Sequence, residues 1–337
     1  MKKLILGLII LLSSFTLSIK ASFEIHATSA ILMEKDSKRV MYEKNIHNRY
    51  LTASIAKIMT AIVALENGDL DKYYKVDKET ISQIGSSIYL KLDDEVKLID
   101  LVYGLMLRSG NDAAYLIAVS VGEDYDDFIN LMNETAKKIG MKNSSFSNPS
   151  GLDEESANYS TAYDMALLMA YCLDNELFRK ITGTKTHVSK TKEGELLYFV
   201  NKHRLIQTKD YVTGGKTGYT TNAKRTLVTS AKKNNMELIA VTFNCGDDWN
   251  AHDALFNYGF SNFEMKVFHR GEIIKMNDAL YPTPYLISDL KYPVKSDDNI
   301  KYLIKLLKKP GSKQQIGRAE IYLDEKLVHH VPIYRYY

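Results

Sequence analysis

The sequence predicts an α/β (α+β) layer architecture followed by a small β unit, and three observations carry that expectation. Short alternating, β-branched runs stand near the start of the chain and again between residues 196 and 243. The stretch between them has the apolar spacing of helices. From about residue 264, Pro282, Pro284, Pro293 and Pro310 break the chain into short pieces. Strands, helices, then strands argue for one sheet whose members come from both ends of the unit, with a helical block between.

Residues 28 to 33 and 39 to 42 read as a hairpin turning at Asp36-Ser37. A helix follows from Ser54 to a stop at Gly68. Residues 99 to 107 have helical spacing and end at Arg108-Ser109-Gly110-Asn111-Asp112. Further helices are expected over 113–121, over 125–138 before Gly140, and over 161–173 with Ser160 as N-cap. Residues 143 to 158, rich in Asn, Ser, Pro and Gly, read as a loop. Strands are expected over 196–201, over 226–231 after a glycine-rich turn at 214–218, and over 238–243, with Asn235 as a turn. A helix over 250–258 closes the unit. In the last part, 319–323 and 327–334 read as strands. Residues 302–309 fit a basic amphipathic helix or a strand, and the turn at Pro310-Gly311 favours the strand. His329-His330 reads as two neighbours along one strand and not as a metal site.

The chain has 337 residues and a net charge of +3, too small to argue for nucleic acid, and no nucleic-acid motif is present. Met1-Lys2-Lys3, an apolar run over 4–19 and the small residues Ala21-Ser22 describe a secretory signal over 1–21, with an uncleaved anchor as the alternative. The expected location is therefore extracytoplasmic: the cell wall, the outer face of the cytoplasmic membrane or the medium. Cys172 and Cys245 lie in apolar surroundings and read as buried free thiols. Two cysteines and scattered histidines give no zinc spacing, so neither metal nor cofactor is expected.

Three short motifs carry chemistry. Ser54 and Lys57 stand three apart, so hydroxyl and amine share one helix face. A neutral amine can take a serine's proton and make it a nucleophile, and a helix start offers N–H groups to an oxyanion. Alone, this pair is as well explained by an exposed serine and a solvated lysine. Ser109-Gly110-Asn111 follows 55 residues after Ser54, and Lys216-Thr217-Gly218 follows 162 after it. Each is by itself an ordinary turn or loop. A phosphate loop at Gly215-Lys216-Thr217 fails, because Asp210 stands where it needs glycine.

In the order S-x-x-K, S-x-N, K-T-G, the three resemble the active-site serine penicillin-binding and β-lactamase superfamily. Asn148-Pro149-Ser150-Gly151-Leu152-Asp153, Tyr159-Ser160-Thr161-Ala162-Tyr163-Asp164 and Lys216-Thr217-Gly218-Tyr219-Thr220 narrow this. They resemble the D-alanyl-D-alanine carboxypeptidases, low-molecular-mass penicillin-binding proteins of the DacF kind, over residues 27 to 260. The resemblance implies a β-lactamase/transpeptidase-like domain over 22–262, with an antiparallel sheet and a helical block, and a C-terminal β-rich domain over 263–337. It implies a serine peptidase that removes the terminal D-alanine of a peptidoglycan stem peptide, with β-lactams as covalent inhibitors.

The roles it implies are Ser54 as acyl-ester nucleophile, Lys57 as base, Ser109 as proton relay, and Asn111 as holder of the substrate amide and of Lys57. Lys216 and Thr217 would take the terminal carboxylate. Gly218 lets substrate approach, and the backbone N–H groups of Ser54 and Tyr219 would form the oxyanion hole. Lys57 must lose its proton, and Lys216 is the candidate cation that depresses it. Thr52, Ala56 and Lys224 depart from the family's usual Pro, Thr and Gly. The family's frequent C-terminal amphipathic helix has no counterpart before Tyr337, so membrane association by that route is not expected; peripheral contact stays open. Two alternatives remain. A class A-like β-lactamase would use Glu154 and Asn158, and a non-catalytic peptidoglycan-binding homologue would use none of the chemistry.

Overall fold

The computed structural model describes residues 23–268, 284–286, 289–309 and 315–335. The expected leader lies outside the described residues. Among the described residues no helix is long and apolar enough to cross a membrane.

Five antiparallel strands form the central sheet. They are β1 (Ser29–Glu34), β2 (Val40–Lys44), and, after a β3–β4 hairpin (Thr186–Lys190, Leu196–Val200), β5 (Val212–Thr220), β6 (Lys224–Lys233) and β7 (Met236–Phe243). The order is β2-β1-β7-β6-β5, so β5 is an edge. Every residue of β1 and β7 is buried, because both sheet faces are covered. Ile31, Met33, Ile239 and Val241 face the helical block, while Ala30, Leu32, Leu238 and Ala240 face the opposite layer. The helices are α1 (Lys57–Asn67), α2 (Leu98–Tyr103), α3 (Asn111–Val121), α4 (Tyr125–Ile139), α5 (Ala162–Cys172), α6 (Glu176–Gly183) and α7 (Asp248–Asn262). In α1, Lys57 through Ala64 are all buried, as expected of a helix apolar all round. Helix α7 supplies Leu255 and Phe256 to the other layer.

Several sequence expectations need correction. Ser54 is not in the helix. It lies in a 3-10 turn, Ala53–Ala56, and α1 begins at Lys57. Residues three apart eclipse in a 3-10 turn, so the pair still meets. The supposed turn at 214–218 is the body of β5, because β6 pairs with it residue by residue from Gly214 to Thr220. The N-cap of α5 is Thr161, whose Oγ1 accepts from Asp164 N at 3.0 Å; Ser160 instead pairs with Tyr50 in a short ladder. The segment ending at Arg108 finishes as a π-turn, Gly104–Arg108. Helix α6 and strand β3 were not read from the sequence. Both cysteines are free and buried.

After α7, strands β8 (Phe263–Phe268), β9 (Pro284–Leu286), β10 (Leu290–Lys295), β11 (Ile300–Leu306), β12 (Gln315–Leu323) and β13 (Lys326–Arg335) build a second, smaller core around Ile316, Ile321 and Ile333. The ambiguous 302–309 stretch thus lies mostly in a strand. His329 and His330 pair with Ile321 and Glu320, and among the described residues no group of side chains is placed to hold a metal. Arg39, on the β1–β2 connection, clamps this part to the sheet. It donates to both Asp298 oxygens at 2.6 and 2.8 Å and to the Pro293 carbonyl at 2.6 Å. Its guanidinium also stacks over Phe263 and Tyr292.

Candidate active site

Three pieces of chain converge where β5, the start of α1 and the start of α3 meet. Ser54 is presented by the 3-10 turn, whose first residue, Ala53, has φ 48°. Gly151 packs flat against that residue; a Cβ there would lie 1.9 Å from the Ala53 carbonyl oxygen. Ser109 holds a left-handed backbone at φ 67° and aims its hydroxyl into the cleft before α3 begins. Such conformations cost about 1–3 kcal/mol each and cluster at functional sites. Gly218 lets β5 pass over Ser54: a Cβ there would lie 3.0 Å from the Ser54 amide nitrogen.

Lys57 Nζ is the centre of the arrangement and is fully buried. It lies 3.1 Å from Ser54 Oγ, 2.7 Å from Asn111 Oδ1 and 2.6 Å from the Ser150 carbonyl oxygen. The Asn111 amide is oriented by its nitrogen, which donates to the Ile84 carbonyl at 2.6 Å; its oxygen must therefore face Lys57. Two of the three partners of Lys57 can only accept. A neutral amine satisfies both with its two hydrogens and turns its lone pair to Ser54. Lys216 Nζ, also buried, donates to Ser109 Oγ at 2.9 Å and to the Thr217 carbonyl at 2.7 Å.

Burial pushes the Lys57 ammonium down to about 7, with the Lys202 charge next and Asp112 opposing. The cation expected to act on Lys57 is Lys216, which shares the cleft with it and interacts with its charge. Lys216 is itself pushed well below the ordinary lysine value, by burial first and then by Lys57 and Lys202. Two buried ammonium groups in one cleft cannot both stay charged, so the pair titrates as a unit.

The structure thus brings Ser54, Lys57, Ser109, Asn111, Lys216, Thr217 and Gly218 together, with Tyr219 exposed at the rim. It does not bring Glu154 and Asn158 together as a water site. Asn158 is buried and spends its side chain on Ser147 N, Asn148 N and the Asn148 carbonyl, while Glu154 is exposed. Sequence reading missed Lys202, and it missed the Ser150 carbonyl, fixed by Asn148 Oδ1 accepting from Ser150 N and Gly151 N. The Asn-Pro-Ser-Gly string marked that loop, but a backbone acceptor has no letter of its own.

A profile of the D-alanyl-D-alanine carboxypeptidase family matches residues 16–246. The chain belongs to the D-alanyl-D-alanine carboxypeptidase family. It is 38% identical over 246 residues to the D-alanyl-D-alanine carboxypeptidase DacF of Bacillus subtilis, a match spanning 71% of this chain and 63% of that one. The crystal structure of the carboxypeptidase DacD from Francisella tularensis superposes with a TM-score of 0.73 at 25% identity, covering 93% of each chain. The Streptomyces K15 DD-transpeptidase gives 0.67 at 30% identity, covering 71% of this chain and 98% of that one. This carboxypeptidase-family chain therefore shares its overall fold with both solved structures, and the DacD match is long enough to take in the C-terminal strands.

Proposed function

We propose that the protein is a serine-type D-Ala-D-Ala carboxypeptidase acting on peptidoglycan stem peptides outside the cytoplasm. The observation that carries this is the pair Ser54 Oγ and Lys57 Nζ at 3.1 Å, with the lysine buried and its ammonium pushed down to about 7, so that a large share of it is the free amine at neutral pH. Ser54 Oγ attacks the carbonyl of the penultimate D-alanine while its proton passes to Lys57. The oxyanion is taken by the Ser54 and Tyr219 N–H groups. Ser109 passes its proton to the leaving amine of the terminal D-alanine and takes one in turn from the Lys216 ammonium that donates to it. Water then cleaves the Ser54 ester. The free edge of β5 offers the substrate backbone a strand to pair with.

The lysine pair adds a step. A terminal carboxylate arriving at Lys216 and Thr217 favours the ammonium at Lys216, and the proton of the pair settles there. Lys57 is left neutral beside Ser54. A free C-terminus would then be needed for the base as well as for binding.

Residues 1–21 are proposed as an export signal, 22–262 as the catalytic domain and 263–337 as an accessory β domain whose contact with the membrane is peripheral. The purified protein should label with a fluorescent penicillin and release D-alanine from a pentapeptide, and Ser54→Ala should do neither. Labelling of Ser54→Ala at the wild-type level would sink the assignment. Rapid penicillin turnover would revive the lactamase, and absence of both activities would favour the binding homologue.

A further inference from the structure

A second cleft opens beside the active site. It holds about 480 Å³ between the 87–94 loop and the β3–β4 hairpin. Ile88, Leu90 and Phe199 are among its buried lining residues, and the rings of Tyr89 and Tyr198 stand at its mouth, 82% and 59% exposed. Exposed aromatic surface of this kind marks an interaction site more often than chance.

The walls are braced. Lys91 pairs with Glu195 at 2.7 Å and Lys192 with Glu95 at 2.6 Å, both across the gap between loop and hairpin. The Glu95 N–H donates to Glu193 Oε2 at 3.1 Å. Tyr89 is held with φ 63°, a backbone conformation that is an outlier for a bulky residue. Its N–H donates to Ser87 Oγ at 2.7 Å, and that hydroxyl donates to Asp112 Oδ2 at 2.6 Å. A strained, solvent-facing ring is thus wired to the residue that follows Asn111.

The cleft's near end is Arg108, which precedes Ser109, and its guanidinium donates to the Val200 carbonyl at 3.4 Å. The hairpin then leads to Asn201, whose amide donates to the Thr184 carbonyl at 2.9 Å, beside Thr182, whose Oγ1 accepts from Gly215 N at 2.9 Å. The cleft therefore lies on the Lys216 side of the site, beyond where a substrate's C-terminus ends. A stem peptide paired with β5 would extend the other way, past Tyr219.

We propose that this cleft binds a saccharide strand of the wall polymer, one neighbouring the strand whose peptide is being trimmed. The proposal rests on the carboxypeptidase reading for the identity of that polymer. Two tyrosine rings offer flat apolar faces to pyranose rings, with hydroxyls at their tips. Arg108, Asp94, Thr191 and the Lys91–Glu195 pair place hydrogen-bonding groups along a lining that also holds Leu196, Leu197 and Val200, a mixture that suits a saccharide's hydroxyls together with its apolar ring faces. Occupancy would hold the enzyme on an insoluble substrate without blocking the cleft that works on it.

The test uses the full chain and a soluble β-1,4-linked N-acetylhexosamine oligomer, with binding followed by titration. Saturable binding is expected, weakened about tenfold in Tyr89→Gly and in Tyr198→Ala, the loss that one aromatic contact of about 1.4 kcal/mol produces. Glycine accepts φ 63° without strain, so Tyr89→Gly removes the ring while favouring the fold. D-Alanine release from intact peptidoglycan should fall by a similar factor in both variants, and release from a free pentapeptide should be unchanged. No saturable saccharide binding, preference for an apolar peptide over the saccharide, or equal loss on polymer and pentapeptide would each overturn the proposal. Binding is read without catalysis, so it decides the question even if D-alanine release fails and the carboxypeptidase reading falls.

Discussion

Two clusters of buried basic side chains sit on either side of strand β5, and they are built to opposite ends. In front, Lys57 and Lys216 meet serine hydroxyls in a cleft. Behind, His203 Nε2 and His252 Nδ1 flank the single hydroxyl of Thr229 at 2.9 and 2.8 Å, and His252 Nε2 meets Thr242 Oγ1 at 3.0 Å. Trp249 packs edge-on against His203. Burial drives all four groups toward neutrality. The difference lies in what they touch. The histidines are closed off by threonines and an indole, whereas the lysines face hydroxyls that can be shared with a substrate.

The rear cluster has one satisfactory proton arrangement. Thr229 has one hydrogen, so it donates to one ring and accepts from the other. His203 Nδ1 is buried without a partner, and folded proteins leave a buried N–H orphaned more rarely than an acceptor. His203 therefore donates from Nε2 to Thr229, Thr229 donates to His252 Nδ1, and His252 donates from Nε2 to Thr242. This chain ties β6, β7 and α7 together behind Gly215, where a Cβ would come within 2.7 Å of His203 Nε2.

Removing one member from each cluster should separate chemistry from stability. Lys57→Met should lower penicillin acylation and D-alanine release by roughly 10³-fold, within the range for loss of a positioned base, with the melting temperature held or raised because a buried amine is gone. Thr229→Val should do the reverse. It leaves two imidazole nitrogens without partners, at about 1–3 kcal/mol each, yet the folded fraction should still acylate. Melting curves and single-turnover labelling of the two variants decide it. A Thr229→Val protein that melts like wild type would show that the rear chain is not holding the sheet.

Acid should find the rear cluster next. Burial holds His203 down to about 3 and His252 well below its ordinary value. A histidine depressed in the folded state takes up protons on unfolding, so its stability contribution is full above the unfolded value near 6.5 and is lost as pH falls below it. The slope should be about 1.4 kcal/mol per pH unit for each histidine. Denaturation at pH 7 and pH 5 should show it, and His203→Asn should flatten the slope even if it lowers stability at pH 7. An unchanged slope in His203→Asn would assign acid sensitivity elsewhere.

How legible these clusters were in the sequence differs for a physical reason. The front one announced itself, because Ser54, Lys57, Ser109, Asn111 and Lys216 are side chains acting as themselves at fixed spacing, and the sheet and helical block around them follow from apolar periodicity. The Ser150 carbonyl and the strained backbones of Ala53 and Ser109 were hidden, since they are properties of the main chain. Glycines 214, 215 and 218 misled: read as a turn, they are a strand thinned to let Ser54, Thr182 and His203 approach. The rear cluster was silent. His203 and His252 are 49 positions apart, and only the pairing of β6 with β7 brings Thr229 and Thr242 between them.

The smallest expected effect tests a further cation that acts on Lys57 from the rim. After burial, the largest cause, the Lys202 charge also depresses the base. Its side chain lies at the exposed rim, 3.5 Å from Ser86 Oγ, where solvent and salt screen it. Lys202→Ala takes away a positive neighbour, so the Lys57 value rises and less of the base is neutral at pH 7. The acid limb of the acylation profile should then move to higher pH, by a fraction of a unit. Raising ionic strength should move the wild-type limb in the same direction and leave that of Lys202→Ala where it is, because the charge being screened is already absent. A neutral β-lactam is the reagent to use, so that loss of substrate attraction does not mimic the shift. If Lys202→Ala and wild type keep identical limbs at low salt, burial and the Lys57–Lys216 pair set the base without help from the rim.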